Sequence, residues 1–282
     1  MLPYYDETMP GLKAFFSGFL CFFLFHYSWL AFSNKTLAQT ATLPIAPQLD
    51  APVKVTEITA EHHLILDDGT IVKLAGLLLP TQQDCTRLKV VCPLVEQLTH
   101  YLEKTLTNQQ AFIAKSPRYF DRYDRLLAQV KSKEGNWIQK EILEQGFART
   151  ITTTANQTDL TPMLHIENQA RYARQGIWQL EAFQVLQTDR LDSKTNRFQI
   201  IEGIVQTTAN IRGTIYLNFG QDWRTDFTIK LEKNNQTAFT NKGADLLETV
   251  GRKIRIRGWL FWENGPMISL YTPKQLEYLS VE

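Results

Sequence analysis

Apolar and polar residues alternate over residues 53–60, in the manner of a strand with one buried face. Leu64, Ile65 and Leu66 form a second short apolar run, and residues 71–79 form a third. Asp67-Asp68-Gly69-Thr70 between them is a turn sequence, with Gly69 able to take positive φ. The pattern therefore predicts a three-stranded meander, followed by a loop that carries Cys85 and Cys92. Pro93 then opens a helix at the first-turn position, where its missing N–H loses no hydrogen bond. Leu94, Leu98, Tyr101 and Leu102 recur at helical spacing. Residues 111–114 and 126–130 predict two more strands. Residues 137–145 predict a helix closed by Gly146, and residues 163–175 a helix ended by Gly176. Five strands, with helices after the third and at the end, predict a small five-stranded barrel of the OB type.

A polar connector over 181–197 separates this pattern from a second one. Residues 198–205, 211–218 and 227–231 predict three strands, and residues 244–249 a short helix. Residues 251–260 read GRKIRIRGWL, the clearest strand pattern in the chain. Its alternation points Ile254 and Ile256 inward and Arg255 and Arg257 outward. Residues 267–270 predict a last strand. Strands, helix and strands in this order predict a second OB-like barrel. The expected fold is thus mainly β with α (α+β), with two barrels in tandem at 53–180 and 198–282.

The N-terminal pattern is different. Residues 14–32 are almost wholly apolar, Lys13 precedes them, and Thr36-Leu37-Ala38 offers small residues suited to peptidase cleavage. Residues 1–38 read as a signal peptide. The run also approaches the roughly 20 apolar residues that span a bilayer, so an uncleaved membrane anchor is the alternative. Either reading exports the rest of the chain, to the periplasm or tethered at the membrane. The Thr-, Ala- and Pro-rich residues 39–52 read as a linker.

Export changes the reading of the cysteines. Cys85 and Cys92 are an even pair in an oxidising compartment, where a disulfide is expected and two buried thiols are the alternative. Composition adds less. The 282 residues are 44% hydrophobic and carry a formal net charge of +1, which gives no global sign of a polyanionic partner.

Four segments carry a resemblance. KLAGLLLP (73–80), DRYDRLLAQV (121–130), WIQKEILEQGFART (137–150) and ENQARYARQGIW (167–178) resemble, in order and spacing, the staphylococcal nuclease or thermonuclease-like family. The resemblance implies calcium-dependent hydrolysis of DNA and RNA, with carboxylates on the metal, a glutamate acting on the attacking water and two arginines on the phosphate. In this alignment the first-strand acid falls at His62, beside His63. The first arginine falls at Lys73, which keeps charge but lacks the bidentate fork. The metal-binding aspartate falls at Leu78, its neighbour at Leu79 and the glutamate at Thr81. The second arginine is retained as Arg125, for which an ion pair with Asp121 is the plain alternative. Arg122 and Tyr123 match basic and aromatic positions near the substrate. Asp84 is the nearest acid after Pro80 and reaches the site only if the loop shifts.

The missing acids imply a degenerate domain that binds without cleaving, with no cofactor expected. Its partner would be a nucleic acid, an envelope component or another protein. The alternative is a calcium-dependent phosphodiesterase using Arg125 and Lys73. Residues 216–231 resemble a module found beside thermonuclease-like domains in exported bacterial proteins. An OB-like surface there would offer Arg255, Arg257, Trp223, Arg224, Trp259 and Trp262 to a ligand.

Overall fold

The computed structural model describes residues 52–88, 93–152, 160–191 and 197–280, without the side chains of 87, 88 and 115–119. The leader or anchor at 1–38, nearly all of the linker at 39–52, and Cys92 lie outside the described residues. Among the described residues no helix is long and apolar enough to cross a membrane.

The predicted meander is present as β1 (Val53–Ile58), β2 (Leu64–Leu66) and β3 (Ile71–Leu74). Gly69 turns the second hairpin at φ 84. The third strand is shorter than expected. Gly76 adopts φ 82, and the chain leaves the sheet as β4 (Leu77–Leu78). The expected cysteine loop begins instead with helix α1 (Gln82–Leu88). Thr81 and Asp84 cap it reciprocally: the Asp84 N–H donates to Thr81 Oγ1 at 3.1 Å, and the Thr81 N–H donates to Asp84 Oδ2 at 3.1 Å.

Helix α2 (Pro93–Leu106) buries Val95, Leu98, Leu102 and Leu106, a face rotated slightly from the expected one. Strands β5 (Gln110–Phe120) and β6 (Leu126–Ser132) complete a closed barrel in the order β1-β2-β3-β6-β5, with β3 and β6 parallel. Its core joins Val55, Leu64, Val72, Leu98, Leu102, Ala128 and Val130. After it come α3 (Ile138–Glu144), β7 (Arg149–Thr150), which pairs with β4, and α4 (Leu160–Tyr172).

The stretch read as a connector is largely ordered against the sheet. It contains tight 3₁₀ turns at Glu181–Phe183 and Thr188–Arg190 and strand β8 (Leu186–Gln187); a further 3₁₀ turn, Gly176–Gln179, precedes it. The C-terminal sheet adds β9 (Arg197–Ile204), β10 (Thr207–Ile211), β11 (Thr214–Asn218), β12 (Thr228–Leu231), β13 (Lys253–Trp262), β14 (Pro266–Ser269) and β15 (Leu276–Tyr278). Its order is β10-β11-β12-β14-β13-β9-β8, with β15 also on β13. The expected strand at 211–218 is the second arm of a hairpin. Arg212 and Gly213 both take positive φ, as the tight β-hairpin turn requires. The expected helix at 244–249 lies within 3₁₀ turns over Thr240–Glu248, where Asn241, Lys242 and Gly243 all have positive φ.

The largest departure from the sequence pattern is in β13. Arg255 and Arg257, expected on a solvated face, are only 5% and 1% exposed. Ile254 and Ile256 are buried as well. The strand lies inside the sheet, paired with β9, β14 and β15. Both of its faces are covered over residues 254–258, so alternation no longer separates inside from outside there.

Candidate functional site

The turn from β5 to β6 gathers most of the expected first-barrel residues. Asp124 takes φ 56, which tightens the turn and brings Arg125 back over Asp121. Arg125 donates from Nε at 2.9 Å and from Nη2 at 2.6 Å, both to Asp121 Oδ2. Its Nη1 lies 3.2 Å from His63 Nε2. The guanidinium carbons of Arg122 and Arg125 stand 4.7 and 4.8 Å from the centre of the exposed Tyr123 ring. Lys73, half-buried on β3, is close enough to His63 to perturb it. Burial, followed by the charges of Arg125 and Lys73, pulls the His63 imidazole below its ordinary value. Burial and then Arg125 likewise lower the Lys73 ammonium. For Asp121, burial acts upward, yet the bonds from Arg125 and the backbone hold its carboxyl low.

His63, not His62, faces this group. His62 takes φ 64 and is fully buried, with Nε2 3.0 Å from Thr99 Oγ1 on α2. Its Nδ1 has no partner among the described residues. The positive φ at His62 turns its side chain toward α2 and away from the Arg125 group.

Both histidines imply a pH dependence. Burial holds His62 and His63 below the ordinary 6.5, so the folded chain binds fewer protons than the unfolded one in mild acid. Stability falls as pH drops through 6.5 and levels off once the lower folded values are passed. Urea midpoints at about pH 7.5 and about pH 5.5 should therefore differ more in the native protein than in a His62→Asn/His63→Asn variant. Asn tolerates the left-handed φ at position 62. An equal pH slope in both proteins would contradict this origin.

The positions aligned with metal ligands lie elsewhere. Leu79 packs on the barrel core, whereas Leu78 packs on Ala170, Ile177, Trp178, Phe183, Phe198 and Ile200. These last residues form the seam between the barrel and the C-terminal sheet. Arg149 crosses the seam, donating from Nη1 to the Phe198 carbonyl at 2.9 Å, with its guanidinium 5.1 Å from the Phe183 and Phe198 ring centres. Burial pulls this guanidinium down to about 10. Asp84 lines the same crevice with Leu78, Leu79 and Arg149 while it caps α1. Leucine offers no oxygen to a hard cation, and Thr81 Oγ1 donates to Asp84 at 2.8 Å. The residues present therefore do not fit the calcium site that the resemblance implies. Among the described residues no group of three His, Cys, Asp or Glu side chains comes together.

The third set of expected residues is internal. Arg257 Nη1 donates to both carboxylate oxygens of Glu167 on α4, at 3.0 and 2.9 Å. Its Nη2 donates to Glu277 Oε1 at 2.9 Å. Arg255 Nη1 reaches Glu277 Oε2 at 3.1 Å, and its Nε donates to Glu202 at 2.7 Å. Both arginines are thus engaged in internal ion pairs and do not stand on the solvated face expected for them. The tryptophans differ: Trp223, Trp259 and Trp262 are exposed, and Trp259 stands edge-on to Phe198 at 5.9 Å. Arg224 lies 3.9 Å from Asp222 and over the Trp223 ring. Cys85 is buried.

Residues 72–180 match the family model described as Staphylococcal nuclease homologue. No curated protein matches the chain. The match runs from β3 through the turn after α4, so this part of the chain, which includes three strands of the closed barrel, is similar to a staphylococcal nuclease domain. The C-terminal sheet lies beyond it.

Proposed function

We propose that this is an exported protein whose nuclease-like domain has lost metal-dependent hydrolysis and binds an anionic polymer, with nucleic acid the best fit. One observation carries the reading: Leu78 and Leu79 stand where the family places metal-binding acids, and Leu78 is packed into the seam with the C-terminal sheet. Removing a metal ligand and a base together costs several orders of magnitude in rate, since single electrostatic groups are each worth about 10² or more. What survives at the barrel mouth is cationic and aromatic: Lys73, Arg122, Arg125 and Tyr123. Arg125 is held by Asp121 and His63, so Arg122 and Tyr123, both exposed, are the groups best placed to meet a ligand.

The C-terminal sheet is read as a second OB-type barrel. β9 and β10 are separated only by Val205 and Gln206, and they pair with β13 and β11 respectively. The short link between the two ends of the sheet supports this reading. Its inner residues, including Val205, Ile215, Leu217, Ile229, Ile254 and Ile268, share one core. We also retain the Cys85–Cys92 bridge and the N-terminal signal or anchor as parts of this reading.

Hydrolysis is the second reading, favoured by the meeting of Lys73, His63 and Arg125 at one place. Cleavage of single-stranded DNA and RNA, with calcium and with chelator, separates the two. No cleavage above an Arg125→Ala variant is expected. Calcium-dependent cleavage that is lost in Arg125→Ala would overturn the degenerate reading and establish the phosphodiesterase.

A further inference from the structure

An open groove of about 990 Å³ lies where the end of α4 meets the C-terminal sheet, far in sequence from the β5–β6 turn. Its walls include Arg171 and Tyr172 of α4, Arg190 of the turn before β9, Lys253 of β13 and Tyr278 of β15. Arg255 and Glu202 also line it, but they neutralise each other. Arg171, Arg190 and Lys253 make no ion pair among the described residues; Asp189 is the other carboxylate on the groove wall, and Glu167 and Glu277 act at a distance in favour of the Arg171 charge. The groove therefore keeps a net positive charge in a chain whose overall charge is close to zero.

The state of Arg171 points the same way. It donates from Nη2 to Asn168 Oδ1 at 2.8 Å, while its buried Nε has no partner among the described residues. Burial and then the neighbouring charge of Arg255 both act against its charged form. An anion in the groove would relieve both effects. Beside it, Tyr172 is 75% and Tyr278 58% exposed, so two aromatic faces meet solvent next to cations that make no ion pair among the described residues. Arg171 stands over the Tyr172 ring at 4.9 Å, which holds that ring in place.

We propose that this groove binds single-stranded nucleic acid, with phosphates on Arg171, Arg190 and Lys253 and bases stacked on Tyr172 and Tyr278. Cations that track a backbone, set beside aromatic platforms for bases, are what strand binding without sequence preference requires. An acidic peptide would use the cations but leave the tyrosine faces unmatched. The groove shares its ligand class with the binding reading above but none of its residues.

Anisotropy of a short labelled oligo-dT with the full-length protein, over a salt series, tests this. Tyr172→Ala and Tyr278→Ala should each weaken binding roughly 5- to 150-fold, the equivalent of about 1–3 kcal/mol per stacked base. Tyr172→Phe should restore it. Lys253→Gln should weaken binding and reduce the salt slope by about 0.7. The proposal is overturned if binding is absent, or if neither tyrosine variant changes it. It is also overturned if polyglutamate competes as well as the oligonucleotide. Sensitivity to Tyr123→Ala alone would place the strand at the barrel mouth and sink the groove. Sensitivity to the groove variants alone would support the groove and remove the barrel mouth as a binding site.

Discussion

Arg257→Met is expected to destabilise the fold by about 3–5 kcal/mol, because it removes one partner of a buried ion pair and strands the other. Glu167 is fully buried on α4, and its carboxylate accepts from Arg257 and from the Thr150 N–H at 2.6 Å. Arg257 also donates to the Thr150 carbonyl at 3.2 Å. Without the guanidinium, Glu167 keeps the Thr150 hydrogen bond but loses its ion-pair partner. Glu277 loses a second contact: burial acts to raise its carboxyl, and Arg257 and then Arg255 outweigh that effect. For a chain of this size the loss corresponds to a fall in Tm on the order of 10 °C. The decisive comparison is Arg257→Met with Glu167→Met in one chain. Removing both charges should recover much of the loss, since well-packed apolar replacements of buried pairs are often neutral or better. A double variant as unstable as the sum of the singles would show that the pair does not act as a unit. The same bonds tie the nuclease-like domain to the C-terminal sheet. Loss of the pair should therefore expose the Leu78 seam to proteolysis before either core unfolds.

Alanine at Gly146 or Gly176 should be nearly as costly. The two glycines face each other where the ends of α3 and α4 meet, and the Ile177 N–H donates to the Gly146 carbonyl at 2.8 Å. Both have positive φ. A Cβ at Gly146 would stand 2.3 Å from the Gln175 carbonyl oxygen, and one at Gly176 would stand 2.2 Å from that of Gly146. The left-handed conformation alone costs an L-residue about 1–2 kcal/mol. Forcing two backbones apart adds roughly 1–3 more. Gly69→Ala is the control: its φ is also positive, but a Cβ there meets nothing within 4 Å. Denaturant midpoints should fall far more for Gly146→Ala and Gly176→Ala than for Gly69→Ala. Equal losses at all three would mean that conformation, not contact, sets the cost.

These glycines show how far pattern alone reached. Gly146 was legible as the end of its helix, because a helix end asks for a left-handed residue; α4 instead ends at Tyr172 with Arg174 left-handed, and Gly176 opens the turn beyond it. That the two glycines touch was not legible, since nothing in the sequence links residue 146 to residue 176 except the fold. The first barrel was legible for a similar reason. Its first three strands are short, locally connected and separated by turns with their own chemistry. The helix at Gln82–Leu88 was missed although Thr81 and Asp84 have capping-box spacing. Pro80 and the cysteines argued for a loop and outweighed it.

The candidate site divides along the same line. Residue identities alone established that leucines replace the expected acids, and a leucine binds no cation wherever it sits. The sequence likewise retained Arg125 and put Asp121 beside it, four residues away, close enough for a turn to pair them. Position was another matter. His63 rather than His62 meets Arg125 because φ at His62 turns its side chain toward α2. Arg255 and Arg257 looked like a solvated stripe because alternation reports one covered face. Their strand is covered on both, by acids brought from 167, 202 and 277. Local chemistry is written in adjacent residues. Burial of a charge depends on which distant counter-charge arrives, and only the packed fold decides that.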